Sequence, residues 1–276
     1  MRHSHLLQLP WAPDPSKAHA ERFFILWGPL SIAFLVLGVV ATGWYRQLDS
    51  TGYTVVSLGM ALPCMLGPAW WTCAADRQRR WWDRFYVKAN VWNAVFGFVG
   101  NYFWTHYFYQ LLGARYTFPN WRLNGVPIAC YLATQAYFCC YHTFTTLVLR
   151  WVHRRHPGNM LLRWTVILLL AYTTALAETA TIAGFPHYAF RDRRSMYRIG
   201  SAFYGLYFVV SFPMYARIDE ADARERKRWT LSAVTLDALA AAMLVTLLLD
   251  AWRLTIGAIG ATTGAPIPDR PGWMRP

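Results

Sequence analysis

The chain has 276 residues, 55% hydrophobic and 17% aromatic, and its apolar residues come in long blocks. That composition excludes an ordinary soluble domain. A net charge of +13 would suit a nucleic-acid binder, but the basic residues sit in short links between apolar blocks, where such charge anchors a protein to a membrane.

Residues 1–20 hold His3, His5, three prolines and Lys17, and read as a polar segment without the apolar core of a cleavable signal. About 20 predominantly apolar residues are needed for a helix to cross a bilayer. Seven stretches qualify: 21–42, 53–75, 85–112, 126–149, 161–184, 197–216 and 232–258. Residues 259–276 form a tail. The expected fold is therefore all-α, a polytopic transmembrane bundle of about seven spans forming one domain over 21–258, because only helices or closed barrels satisfy their backbone in lipid. Sixteen Lys and Arg residues fall on the N-terminal side of such a bundle and ten on the other, which predicts the N-terminus inside and the C-terminus outside. Cys64, Cys73, Cys130, Cys139 and Cys140 all fall within these stretches without metal-type spacing, and read as packing residues.

Polar residues inside a span are costly and need a reason. In the third stretch Asn90, Asn93, Gly97, Asn101 and Thr105 recur at steps of three and four, one stripe on a helix. His106 lies about 140° from Asn101 on the same wheel and shares its face with Tyr102, Tyr109 and Gln110. A helix polar on two sides is surrounded by protein. Asn90, Asn93 and Thr105 suit bridges between helices, and glycines allow close approach. The fourth stretch aligns Gln135, Cys139, His142 and Thr146.

In the fifth stretch Glu178 is the only acid, and Ala171, Thr174 and Thr181 share its face. Small residues around a carboxyl suit a tight helix contact or a ligand. A carboxyl enclosed in apolar surroundings stays neutral and can donate a proton. Asp237 and Asp250 bracket the seventh stretch; Arg253, three residues on, makes Asp250 a helical ion pair, and both read as structural.

Stretches three, five and seven run in one direction, so His106, Glu178 and Asp250 fall at similar depth. Two loops open at that end: 114–124, and 185–200 with Tyr188, Asp192 and Tyr197. A proton donor, an aromatic cavity and a polar lid would meet there, with His142 nearer the opposite side.

The segments DRFYVKAN (83–90), GNYFWTHYFYQLLGARYTFPNW (100–121), ETATIAGFPHYAFRDRRSMYRIG (178–200), YFVVSFPMYARIDE (207–220) and DALAAAMLVTLLLDAWRL (237–254) resemble the cycloeucalenol cycloisomerase family. The resemblance runs from about Trp11 to Leu254. It implies an integral membrane isomerase, with no redox cofactor, that opens the 9β,19-cyclopropane ring of cycloeucalenol to give obtusifoliol. The family pattern has an acid where this chain has Ala189, and the tail after Leu254 does not match. Three lysines against 24 arginines suggest a GC-rich genome, so the substrate could be cycloartenol or another cyclopropyl sterol. The membrane would be the endoplasmic reticulum in a eukaryote, or the plasma membrane in a bacterium.

Ring opening protonates C19, leaves positive charge near C9, and ends with loss of the C8 proton. It calls for a dry acid, aromatic faces for the cation and a base. Glu178 is the expected donor and His106 the expected base or relay. Asn101 is expected to orient the acid or bind a sterol hydroxyl, and Tyr102, Trp104, Thr105, Tyr109, Thr174, Tyr188, Asp192 and Tyr197 to contact substrate. The partners are the sterol and membrane lipid, not nucleic acid, and no metal site is expected. An 8,9-to-7,8 double-bond isomerase would need similar groups; a sterol-binding or transport protein is the non-catalytic alternative.

Overall fold

The computed structural model describes residues 11–183, 185–220 and 228–260; the expected tail lies outside them except for its first two residues. Seven long helical stretches occupy the seven expected places: α1 (Pro15–Val40), α2 (Ser50–Trp70), α3 (85–112), α4 (Ile128–Arg155), α5 (Met160–Ala183), α6 (Arg193–Ala216) and α7 (Leu231–Thr255).

Helix α1 begins at Pro15, inside the segment expected to be polar. Asp14 caps it by accepting from Ser16 N and Lys17 N at 2.8 and 3.2 Å, and Pro15 suits the first helical position. Asp49 and Thr230 cap α2 and α7 in the same way. Helix α2 stops at Trp70, so Cys73, expected within a span, caps a short helix (Ala74–Arg77) beyond it. Helix α3 ends at Gly113, whose φ of 60° reverses the chain at no cost to a residue without Cβ.

Five of these helices (α1, α2, α5, α6 and α7) are long and apolar enough to cross a membrane. Their outer faces carry large apolar side chains: Leu26 and Leu37 on α1 are 65% exposed, and Leu169 on α5 and Met243 on α7 are 60% exposed. A water-facing surface would not carry that much apolar area. Helices α3 and α4 are long but more polar, for a visible reason: most of their side chains are buried against neighbouring helices. Helix α4 packs on α1, α2, α3 and α6, and α3 also packs on α7.

Their polar side chains bond to neighbouring helices. Asn90 Nδ2 donates to Cys64 O of α2 at 3.0 Å, and Gln135 Nε2 of α4 donates to Asn90 Oδ1 at 2.7 Å. Asn93 Nδ2 meets Cys139 Sγ at 3.4 Å. His142 lies between Phe138 O (2.8 Å) and Ser211 Oγ (2.9 Å), among the rings of Trp92, Phe212 and Tyr215.

A cluster of buried ions locks one end of the bundle. Lys17 Nζ lies 2.6 Å from Glu220 and donates to Ile218 O at 2.5 Å. Arg150 spans Glu21 and Glu220, its Nη2 being 2.5 and 2.7 Å from their carboxylates. Lys88 pairs with Asp219 at 2.7 Å. Asp237 accepts from Trp92 Nε1 at 3.0 Å and pairs with Arg217. At the other end, Asp250 takes Tyr107 OH at 3.2 Å and Arg253 Nε at 2.8 Å.

The two aromatic loops are joined to each other. Strand β1 (Arg115–Tyr116) pairs antiparallel with β4 (Tyr188–Ala189), while β2 (Arg122–Leu123) and β3 (Val126–Pro127) form a hairpin. Tyr116 stacks on Tyr188 with ring centroids 4.6 Å apart and planes 9° off parallel. Ala189 sits opposite Arg115, and both are exposed.

Candidate functional site

Beneath those loops lies a cavity with about 1430 Å³ of unoccupied space, the open solvent at its mouth included. It sits at the end of the bundle opposite the ion cluster. Its walls come from the C-terminal parts of α1, α3 and α5 and the N-terminal parts of α2, α4 and α6, with Tyr116, Phe118, Phe185 and Tyr188 from the loops.

Four stretches of π-helix, 34–40, 100–104, 108–112 and 196–200, each contribute to this wall through Val36, Asn101, Phe108 and Met196 respectively. A widened turn is uncommon and recurs at functional sites, because it re-aims side chains out of the regular helical phase.

Among the described residues Glu178 is the only carboxyl on the wall, and no Lys, Arg or His lines it. Helix α5 presents it through a stripe of small residues. Ala171 and Ala175 are buried, and Gly205 of α6 lies against the Ala171 backbone, which brings α6 close. Tyr204 of α6 then donates its hydroxyl to Glu178 Oε2 at 2.8 Å, and the Tyr141 hydroxyl bears on the same carboxyl. Thr181 Oγ1 bonds the Glu178 carbonyl at 2.8 Å. Around this group the wall is tyrosine, phenylalanine and aliphatic carbon: Tyr137, Tyr188, Tyr204, Tyr207, Phe108 and Phe138 among others.

The two faces of α3 separate as the wheel requires. Asn101 and Thr105 line the cavity with Gly97 and Gly100, so the lower half of the polar stripe bridges helices while its upper half opens into the cavity. Tyr102, His106 and Tyr109 turn toward the β2–β3 hairpin. Asn124 Nδ2 donates to Tyr102 O at 2.7 Å, Tyr109 OH donates to Gly125 O at 3.2 Å, and the buried His106 ring bonds the Asn124 backbone and lies edge-on to Tyr109. His106, expected as the base, is thus outside the lining, because the hairpin occupies its face of the helix.

Of the other expected contacts, Tyr188 lines the cavity and Thr174, Tyr197, Trp104 and Asp192 do not. Trp104 points to α7, where its Nε1 donates to Thr246 Oγ1 at 2.8 Å. Asp192 caps α6, accepting from Arg194 N at 2.9 Å and Ser195 Oγ at 2.5 Å, and the Ser195 bond holds its carboxyl below the usual carboxylate range. Sequence reasoning missed Tyr204, Tyr207, Tyr137 and Tyr141. The signal was available: each pair lies one helical turn apart, at i,i+3 or i,i+4, inside an apolar stretch.

The chain is 44% identical over 265 residues to cycloeucalenol cycloisomerase of Arabidopsis thaliana, covering 94% of this chain and 91% of that protein. No family model matches the chain. No solved structure matches it.

Proposed function

The chain belongs to the cycloeucalenol cycloisomerase family, and from that premise we propose that it opens the 9β,19-cyclopropane ring of cycloeucalenol or a related cyclopropyl sterol to an 8,9-unsaturated sterol. One observation carries the reading: among the described residues a single carboxyl, Glu178, faces a cavity walled mainly by aromatic and aliphatic groups.

Tyr204 donates to Oε2 of Glu178, which favours Oε2 as the carbonyl oxygen of the neutral acid and leaves the proton on Oε1. That proton adds to C19 as the C9–C19 bond breaks, the bond pair forming the new C–H bond. The cation near C9 faces tyrosine and phenylalanine rings. The pair of the C8–H bond then forms the 8,9 double bond, and the C8 proton leaves to a base. The C19 bridge and the 8β hydrogen lie on one steroid face. The carboxylate that has just given up its proton is therefore within reach of the second, and Glu178 serves as both acid and base. Tyr204 and Tyr141 stabilise the carboxylate between the two transfers. In this reading His106 holds the β2–β3 hairpin in place. Asn101, Thr105 and Tyr188 contact the sterol directly, while Tyr102, Trp104, Tyr109, Thr174, Asp192 and Tyr197 support the wall or the lid.

All seven long helices cross the membrane in this proposal, with the ion cluster on the cytosolic side. The test is turnover of cycloeucalenol by purified protein in D2O. Obtusifoliol carrying one deuterium at C19 is expected where the Glu178 carboxyl exchanges with solvent between turnovers; absence of ring opening overturns the reading.

A further inference from the structure

Asn101 stands apart from the other polar groups of the wall because its amide is fully committed on one side. Nδ2 donates to Gly97 O at 2.9 Å and to Thr134 Oγ1 at 3.0 Å. Thr134 Oγ1 in turn donates to Cys130 O at 2.7 Å, so toward Asn101 it can only accept. Gly97 O is an acceptor by nature. Both contacts require the amino group, and the amide cannot flip without setting oxygen against oxygen.

The consequence is a fixed acceptor. Oδ1 has no protein partner among the described residues, and Asn101 borders the cavity. A rigid carbonyl with no donor beside it selects a ligand that brings its own O–H or N–H. Tyr204, the nearest hydroxyl to the acid, is already committed to Glu178 Oε2 at 2.8 Å.

We propose that Asn101 Oδ1 accepts a hydrogen bond from the 3-hydroxyl of the sterol and so sets the register that brings C19 to Glu178. This rests on the sterol isomerase reading above. The hydroxyl sits on C3 of ring A while C19 bridges C9 and C10, so one anchor for each orients the rigid ring system. Asn101 contributes to binding and register, and Glu178 to chemistry.

The test compares cycloeucalenol with its 3-deoxy analogue in the wild type and in Asn101→Leu. The wild type is expected to prefer the alcohol by about tenfold or more in kcat/KM, the worth of one well-made hydrogen bond, mostly through KM. Asn101→Leu is expected to convert the two sterols equally well. If Asn101→Leu fails to fold, Asn101→Ala replaces it, because the smaller side chain removes the acceptor without crowding Thr134. The same loss of preference is expected there. A variant that is slower on both sterols but keeps the preference overturns the proposal and leaves Asn101 a packing residue. Equal use of both sterols by the wild type also overturns it, with the isomerase reading intact. Conversion of neither sterol by the wild type removes both.

Discussion

The Tyr204 hydroxyl reaches Glu178 Oε2 at 2.8 Å across the contact between α5 and α6, in the wall of the cavity. The contact depends on small residues one and two turns earlier, Ala175 and Ala171, with Gly205 packed on the Ala171 backbone. Removing the hydroxyl in Tyr204→Phe keeps the ring and its packing. A bond to a carboxylate is worth about 1.5–3 kcal/mol, so kcat is expected to fall roughly 10- to 100-fold with KM little changed. A rise in KM at unchanged kcat would instead make Tyr204 a binding residue.

How far this site was legible in the sequence follows from the kind of signal each part carries. Glu178 was legible because a single acid in an apolar helix has few explanations. The two faces of α3 were legible from the 100° step, yet which face met the cavity was not, because that depends on where the β2–β3 hairpin docks. Asn124 and Gly125, from a loop more than 15 residues away, take the face of Tyr102 and His106. The helices themselves were legible to within a few residues, except where a cap overrode hydropathy, as Asp14 does in starting α1 at Pro15. The π-helical turns left no trace in the spacing, since they are chosen by packing around the cavity.

Ala189 tests the departure from the family pattern. It lies opposite Arg115 on the exposed face of the β1–β4 ribbon, outside the cavity lining. An acid there would meet a surface arginine, not substrate. Ala189→Glu is expected to leave kcat unchanged and to add no more than about 1 kcal/mol of stability by thermal unfolding in detergent. A large change in kcat would mean that the β1–β4 ribbon enters the chemistry.

Arg150 holds two carboxylates, Glu21 and Glu220, at the end of the bundle away from the cavity. Arg150→Met strands Glu21 and leaves Glu220 with Lys17 alone, and a loss of about 3–5 kcal/mol is expected. The unfolding midpoint should drop while kcat per folded molecule holds. Near-wild-type stability would show that the cluster relaxes into water.

Glu220 gives that cluster a pH signature. Burial alone would push its carboxyl up, but the Arg150 hydrogen bonds and the Lys17 charge hold it below the ordinary value. A carboxyl lowered in the folded state contributes stability that is complete above its unfolded pKa, about 4.3, and is lost as pH falls through the folded value. The midpoint is therefore expected to be steady from pH 7 to about 5 and to fall below about 4. Glu220→Gln should lower the plateau and flatten the fall. Part of the fall should remain, because Arg79 holds Asp14 down against the opposing effect of burial. A variant with an unaltered acid limb would remove Glu220 as its source.

Glu178 carries the central claim, and Glu178→Gln keeps the shape of the side chain while removing its proton chemistry. The decisive measurement feeds cycloeucalenol and an 8,9-unsaturated sterol separately to the wild type and to this variant, with product analysis of all four reactions. Ring opening by the wild type is expected, with the variant slower by about 100- to 10,000-fold and no 7,8-unsaturated product from either protein. Ring opening by Glu178→Gln at close to the wild-type rate would contradict the account.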